Sequence, residues 1–245
     1  RCAIGNHQLV VEAERVLDLR RHNIFKLKIG KRSVRDDVSH VAAIKKAVGD
    51  RGSVRVDVNQ NWDEAQADLG MRLLQDAGVD LVEQPVARHA HASMARLSAK
   101  HIVPLMADEA LHGPCDAFAI AACSGARIFA VKIAQSGGLL PAHAVATIAH
   151  AGGVGLYGGT MLEGGVGTAA SAHLCATLPT LAWGTELFGP LLLTQDILAE
   201  PLRYADFELA VPTGPGLGVA LDEDRVAFHR RDRTAPTLHV VAERA

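Results

Sequence analysis

No apolar run in the chain approaches the roughly 18 residues needed to cross a bilayer, so no membrane span is expected. The four cysteines, Cys2, Cys115, Cys123 and Cys175, form no CxxC pair. With no signal peptide in view they read as reduced thiols of a cytosolic protein. Charge of neither sign dominates. A formal net charge of −2 gives no reason to expect nucleic acid or an anionic membrane as a partner. Gly152-Gly153 and Gly158-Gly159 are followed by no GxxxxGK[ST] stretch, which leaves close backbone packing as their reading. His89, His91 and His101 lack HExxH spacing and read as surface or loop residues.

What is present suffices for one sizeable core. The chain has 245 residues, 49% of them hydrophobic and 21% charged. An α/β barrel of about 250 residues counts as one domain. The sequence opens at Arg1 in mid-pattern, and a preceding segment is expected.

Phe25-Lys26-Leu27-Lys28-Ile29-Gly30 alternates as a strand, with Lys26 and Lys28 on one face. Taken alone, the hexapeptide fits a solvent-facing lysine pair equally well. The rest of the chain turns the balance. Apolar residues at helical spacing mark 9–22 and 35–48, followed by a strand at 54–59. Asp63 can cap a helix that runs through Leu69, Leu73 and Leu74 to Gly78. Strands follow at 80–85, 103–109, 128–133, 154–157 and 181–185, with helices at 92–99, 115–123, 141–150 and 169–176 between them. The remainder is rich in proline and glycine around 212–218 and carries no clear pattern.

Strands that alternate with helices throughout imply a parallel sheet. Lys28, Asp57, Glu83, Asp108, Lys132, Tyr157 and Glu186 recur at the strand ends every 24 to 29 residues, the length of one strand, one helix and two loops. Seven strands are expected, ending near 29, 58, 83, 107, 132, 157 and 185. One further unit upstream falls at or before residue 1, so a first strand is absent or reduced to residues 1–5. The fold class is α/β, a TIM-type (β/α) barrel lacking strand 1. Residues 1–245 form one domain, with a barrel core over about 9–200 and an extension over about 201–245.

The C-terminal strand ends of such a barrel form its mouth. Asp57, Glu83 and Asp108, on three adjacent strands, converge there and would repel one another. A hard divalent cation, Mg²⁺ or Mn²⁺, resolves the repulsion with all-oxygen ligation. Lys28 and Lys132 lie four strands apart in an eight-strand ring and face each other over the mouth, with the carboxylates to one side and Glu186 opposite Glu83. A substrate carboxylate on the metal would set its α-carbon between the two lysines. Proton removal there builds an enediolate that metal and ammonium groups stabilise. A lysine near a cation and partly desolvated loses pKa and can serve as base. Geometry alone allows either lysine.

Five segments together resemble the enolase superfamily, muconate-lactonising subgroup: the Lys26-x-Lys28 strand, Arg55-Val56-Asp57-Val58-Asn59, Glu83-Gln84-Pro85, Ala107-Asp108-Glu109, and Lys132 with Gly137-Gly138. The stretches from Leu156 to Gly164 and from Trp183 to Pro190 strengthen the match, which covers residues 12–224. The resemblance implies Asp57, Glu83 and Asp108 as ligands of Mn²⁺ or Mg²⁺. It implies Lys28 as the acid/base on the carbon α to the metal-bound carboxylate, with Lys26 as electrostatic support. Lys132 becomes the facing lysine and Glu186 the acid-side partner; Glu163 matches a loop residue whose role stays open. The implied reaction is lactonisation of cis,cis-muconate to muconolactone in cytoplasmic aromatic catabolism. Alternatives are the chloromuconate reaction, o-succinylbenzoate synthesis, dipeptide epimerisation, N-acylamino-acid racemisation, or a truncated non-catalytic barrel. A small dicarboxylate is the implied partner, and the intact protein a homo-oligomer. Subgroup members carry a capping domain before the barrel; without one, a chain is expected to be marginally stable and to turn over little.

Overall fold

A computed structural model describes residues 6–232. Helix α1 (Asn6–Asp18) leads into strand β1 (Ile24–Lys28). The alternation continues through α2 (Val34–Val48), β2 (Ser53–Asp57), α3 (Glu64–Asp76), β3 (Leu81–Glu83), α4 (His91–Lys100) and β4 (Leu105–Ala107). Then come α5 (Pro114–Ala122), β5 (Ile128–Val131), the one-turn α6 (Ile133–Ser136), α7 (Leu139–Ala151), β6 (Gly155–Gly158) and α8 (Gly165–Thr177). The six strands pair in parallel and in chain order, as consecutive βαβ units dictate. They form the curled sheet of a TIM-type barrel. The expected stub at residues 1–5 lies outside the described residues.

Local chemistry sets the helix starts. Asp63 caps α3 in a reciprocal box: its carboxylate accepts from the Gln66 N–H at 2.8 Å, and the Gln66 side chain accepts from the Asp63 N–H at 3.1 Å. Ser33 Oγ accepts from the Asp36 N–H at the head of α2. The apolar faces of these helices then cover the outer face of the sheet. Val41, Val48, Met71, Leu74 and Ile120 pack there against Val54, Val56, Leu105 and Phe129, all fully buried.

Side chains alternate along a strand, and the inner face carries a separate cluster: Leu81, Met106, Ile128, Ala130 and Tyr157, with Trp183 packed against it. Three of these, Leu81, Met106 and Ala130, precede a polar inward position on their strands. Two residues beyond Leu81 stands Glu83, beyond Met106 stands Asp108, and beyond Ala130 stands Lys132. One register of alternation therefore fills the barrel floor with apolar groups and its mouth with charge.

The seventh expected strand is reduced to one parallel bridge between Gly158 and Thr185. Residues 181–184 turn instead, with the Gly184 N–H donating to the Leu181 carbonyl at 2.8 Å and Gly184 at φ 69°. Glycine enters that left-handed region without steric cost, and one such residue ends an extended run. The patternless remainder holds a small antiparallel hairpin, β7 (Tyr204–Ala205) and β8 (Glu208–Leu209), and helix α9 (Glu223–His229). Tyr204 anchors the hairpin by donating to the Leu187 carbonyl at 2.8 Å. Among the described residues no helix is long and apolar enough to cross a membrane.

Candidate active site

Strand register brings the acidic residues together. Lys28 stands beside Asp57, and Asp57 beside Glu83, across β1, β2 and β3. Glu83 pairs with Met106, two residues short of Asp108. All three carboxylates are buried, and one oxygen from each lies within 4.8 Å of the others. Burial pushes the Glu83 carboxyl well above the usual range; Lys26 opposes the shift, while Asp57, Asp108 and Glu186 add to it. At Asp108 burial also works upward, but the Lys132 ammonium and its hydrogen bond outweigh it and hold the carboxyl below its usual value.

Each lysine has its own acid. Lys132 Nζ lies 2.7 Å from Asp108 Oδ2, with 6% of its side chain exposed. Lys28 Nζ lies 2.5 Å from Asp57 Oδ2, but 61% of its side chain is exposed. Lys26 is the central cation, 2.5 Å from Glu186 Oε2, 3.0 Å from Glu83 Oε2 and 3.8 Å from Asp57 Oδ2. Burial works against its charge, yet Glu83 and Glu186 hold its pKa above the ordinary lysine value. The arrangement differs from the expected one in two respects. The carboxylates form a row with Lys28 and Lys132 on its two ends. Glu186 reaches the row through Lys26, which it shares with Glu83, so Lys26 and Lys132 are the desolvated lysines and Lys28 meets solvent.

The three acids fit a metal ion. Asp108 Oδ1 is buried and accepts no hydrogen bond among the described residues, and Glu83 Oε2 has only its ion-pair approach to Lys26. A buried oxygen left without a donor, in an all-carboxylate set, suits a hard divalent cation. Asp57, Glu83 and Asp108 can therefore hold one. Two supporting residues carried no assigned role in the sequence reading. Asn59 donates its backbone N–H to Asp57 Oδ1 at 2.9 Å and its side-chain amide to Asp57 Oδ2 at 3.3 Å. Gln84 Oε1 accepts from the N–H groups of Asp108 and Ala110 at 3.0 and 3.1 Å. Both residues have positive φ, 45° and 36°, which turns the chain sharply just past the ligand strands. Their neighbours Asp57 and Glu83 were the only available signal.

Gly158, which ends β6, and Gly159 pack closely as expected, whereas Gly153 has open space and is needed instead for its φ of 68°. A Cβ on Gly159 would lie 2.7 Å from Lys132 Cγ, and one on Gly158 would lie 2.8 Å from Cys175 Sγ. The histidine reading needs one correction. His101 is buried and sits 2.9 Å from Asp68 Oδ1, because the cap of α4 folds its ring against α3. Lys26, Lys28, Lys132, Thr160 and Glu186 line a cleft of about 700 Å³ together with apolar Phe25, Leu27, Phe188 and Leu191.

A family model described as "Enolase C-terminal domain-like" matches residues 8–225. Muconate cycloisomerase 1-2 of Acinetobacter lwoffii is 59% identical over 221 residues, covering 90% of this chain and 57% of that protein. Chloromuconate cycloisomerase CbnB of Cupriavidus necator is 45% identical over 216 residues, covering 88% of this chain and 58% of that protein. The crystal structure of muconate lactonizing enzyme from Pseudomonas fluorescens complexed with muconolactone superposes with a TM-score of 0.91 at 56% identity, covering 94% of this chain and 62% of that one. The chain thus spans less than two thirds of the length of these relatives. Its curled parallel sheet and the matched family model agree: the chain belongs to the enolase superfamily, in the C-terminal domain-like family.

Proposed function

We propose that this chain is the catalytic barrel of a muconate cycloisomerase, which closes cis,cis-muconate to muconolactone. One observation carries the reading: a buried row of three carboxylates with a lysine on each outer member, in a chain 59% identical to an enzyme named for muconate. In this reading Asp57, Glu83 and Asp108 hold Mn²⁺ or Mg²⁺, which when bound supplies positive charge to a substrate carboxylate. Lys28 exchanges a proton with the carbon α to that carboxylate. Its exposure toward the cleft lets it reach a substrate while Asp57 fixes its ammonium at one end of the row. Lys132, tied to Asp108, presents a second positive charge from the other end. Lys26 neutralises Glu83 and Glu186 together and keeps Glu186 beside the row as the acid-side partner. The protein works in the cytoplasm on a small dicarboxylate, as one barrel domain over residues 1–245.

Loss of muconate ultraviolet absorbance on adding the chain with Mn²⁺, alone and with a capping domain supplied, tests the proposal. Conversion to muconolactone supports it. A preference for a chlorinated muconate would move the chain to the second reading, which its lower identity to a chloromuconate enzyme disfavours. Conversion of neither diacid with the capping domain supplied would leave the barrel without this activity.

A further inference from the structure

Glu186 has two carboxylate oxygens, and two different groups hold them. Lys26 Nζ takes Oε2 at 2.5 Å, and the backbone N–H of Thr160 donates to Oε1 at 3.2 Å. Thr160 is buried, at the start of the loop that leaves β6. That loop is held from within by Glu163. Glu163 Oε2 accepts from the Thr160 hydroxyl and from the Met161 N–H at 3.0 Å. The Leu162 N–H in turn donates to Thr160 Oγ1 at 2.9 Å, with Leu162 at φ 64°. A leucine in the left-handed region is strained and persists only where its surroundings fix it. The fixing is tight. A Cβ on Gly189 would lie 2.2 Å from the Glu163 carbonyl oxygen, one on Gly167 would lie 2.7 Å from Glu163 Cβ, and Thr168 Oγ1 donates to that same carbonyl at 3.0 Å.

We infer that Glu163 is a positioning residue: its carboxylate latches the 160–163 loop so that the Thr160 N–H fixes the orientation of Glu186. Glu163 acts through Thr160, which lines the cleft, and does not itself line the cleft or touch the carboxylate row. Glu186 keeps its ion pair with Lys26 when the latch opens, but its second oxygen loses its donor and the carboxylate is free to rotate. The functional consequence for turnover rests on the proposed muconate reaction; the latch itself does not.

Two readouts separate the two. Amide hydrogen exchange on the 245-residue chain reads the latch without substrate. In Glu163→Ala the Thr160, Met161 and Leu162 amides should all exchange about tenfold faster or more, the loss of charge-assisted hydrogen bonding. In Glu186→Ala only the Thr160 amide should accelerate, because Met161 and Leu162 answer to Glu163. Glu163→Gln retains an acceptor oxygen and should restore much of the protection, which separates the latch from general destabilisation. Unchanged Thr160 exchange in a folded Glu163→Ala variant overturns the inference, as does equal acceleration of all three amides in Glu186→Ala. The second readout is muconate turnover. Glu163→Ala should lower kcat about tenfold with KM little changed, and the double variant Glu163→Ala/Glu186→Gln should be no slower than Glu186→Gln alone. Additive losses overturn the positioning role. Should the parent chain convert no muconate even with a capping domain supplied, the proposed function fails while the exchange pattern still decides the latch.

Discussion

Lys28 and Asp57 occupy the same register position on neighbouring strands, and their side chains meet at 2.5 Å. The pair marks the solvent end of the carboxylate row, where a lysine can leave its partner and reach into the cleft. Lys28→Ala should leave metal binding intact and slow the proposed proton transfer by at least about 10²-fold, the usual scale for a positioned acid–base group. Exchange of the lactone α-proton with deuterated solvent measures it. Exchange at the parental rate would transfer the role to Lys132.

Removing a central ligand should act differently. Glu83→Gln is predicted to weaken Mn²⁺ binding by more than about 100-fold, beyond what outer-shell substitutions cause. A metal that binds only the folded chain stabilises it, by about 2.7 kcal/mol at a hundred times its dissociation constant. Mn²⁺ should therefore raise the melting temperature of the parent chain and leave that of Glu83→Gln nearly unmoved. Equal upward shifts in both would mean that the ion binds elsewhere.

The capping box of α3 offers a stability test remote from the site. Asp63→Ala removes the acceptor for the Gln66 N–H and should cost about 1 kcal/mol. Urea unfolding should show a lower midpoint with an unchanged slope. A midpoint identical to the parent's would show that water replaces the cap without loss.

The cysteines should divide by environment. Burial pushes the Cys175 thiol up to about 11, whereas Cys115 and Cys123 are exposed. Deprotonation of Cys175 therefore moves to higher pH, and at pH 8 only about one thiol in a thousand is the reactive thiolate. Iodoacetamide should label Cys115 and Cys123 first, and the gap should narrow as pH rises toward 11. Peptide mapping that found Cys175 modified as fast as Cys115 at pH 8 would contradict this.

Strand ends were legible because their information is local. Polar residues recurring at the strand ends once per βα unit placed Glu83, Asp108 and Lys132 at the mouth before any coordinates. The cap at Asp63 was legible as a local signal too, though the reciprocal bond from Gln66 was not foreseen. Closure of the curl was not. The segment from Leu181 to Thr185 has strand composition, and its turn depends on Gly184 adopting positive φ against a neighbouring strand. The sharing of Lys26 between Glu83 and Glu186 was hidden likewise. It joins residues 103 positions apart (186 against 83), and no spacing rule specifies which of two inward lysines a distant glutamate meets. The hairpin at Tyr204 escaped because strands of two residues carry no periodicity.

Gly159 leaves less room for inheritance than any of the charged residues around it. Its missing methyl is the space that Lys132 occupies, with Cγ 2.7 Å and Cε 2.8 Å from where that carbon would sit. An acid can drift to another acid and keep part of its job, but alanine at this position must displace the lysine or the strand beneath it. The codon for Gly159 should therefore tolerate only silent change in any lineage that still uses Lys132. A population in which alanine spreads there would be one that has stopped relying on the lysine. Deep mutational scanning of the β6 segment under growth selection would register that intolerance without any knowledge of the chemistry.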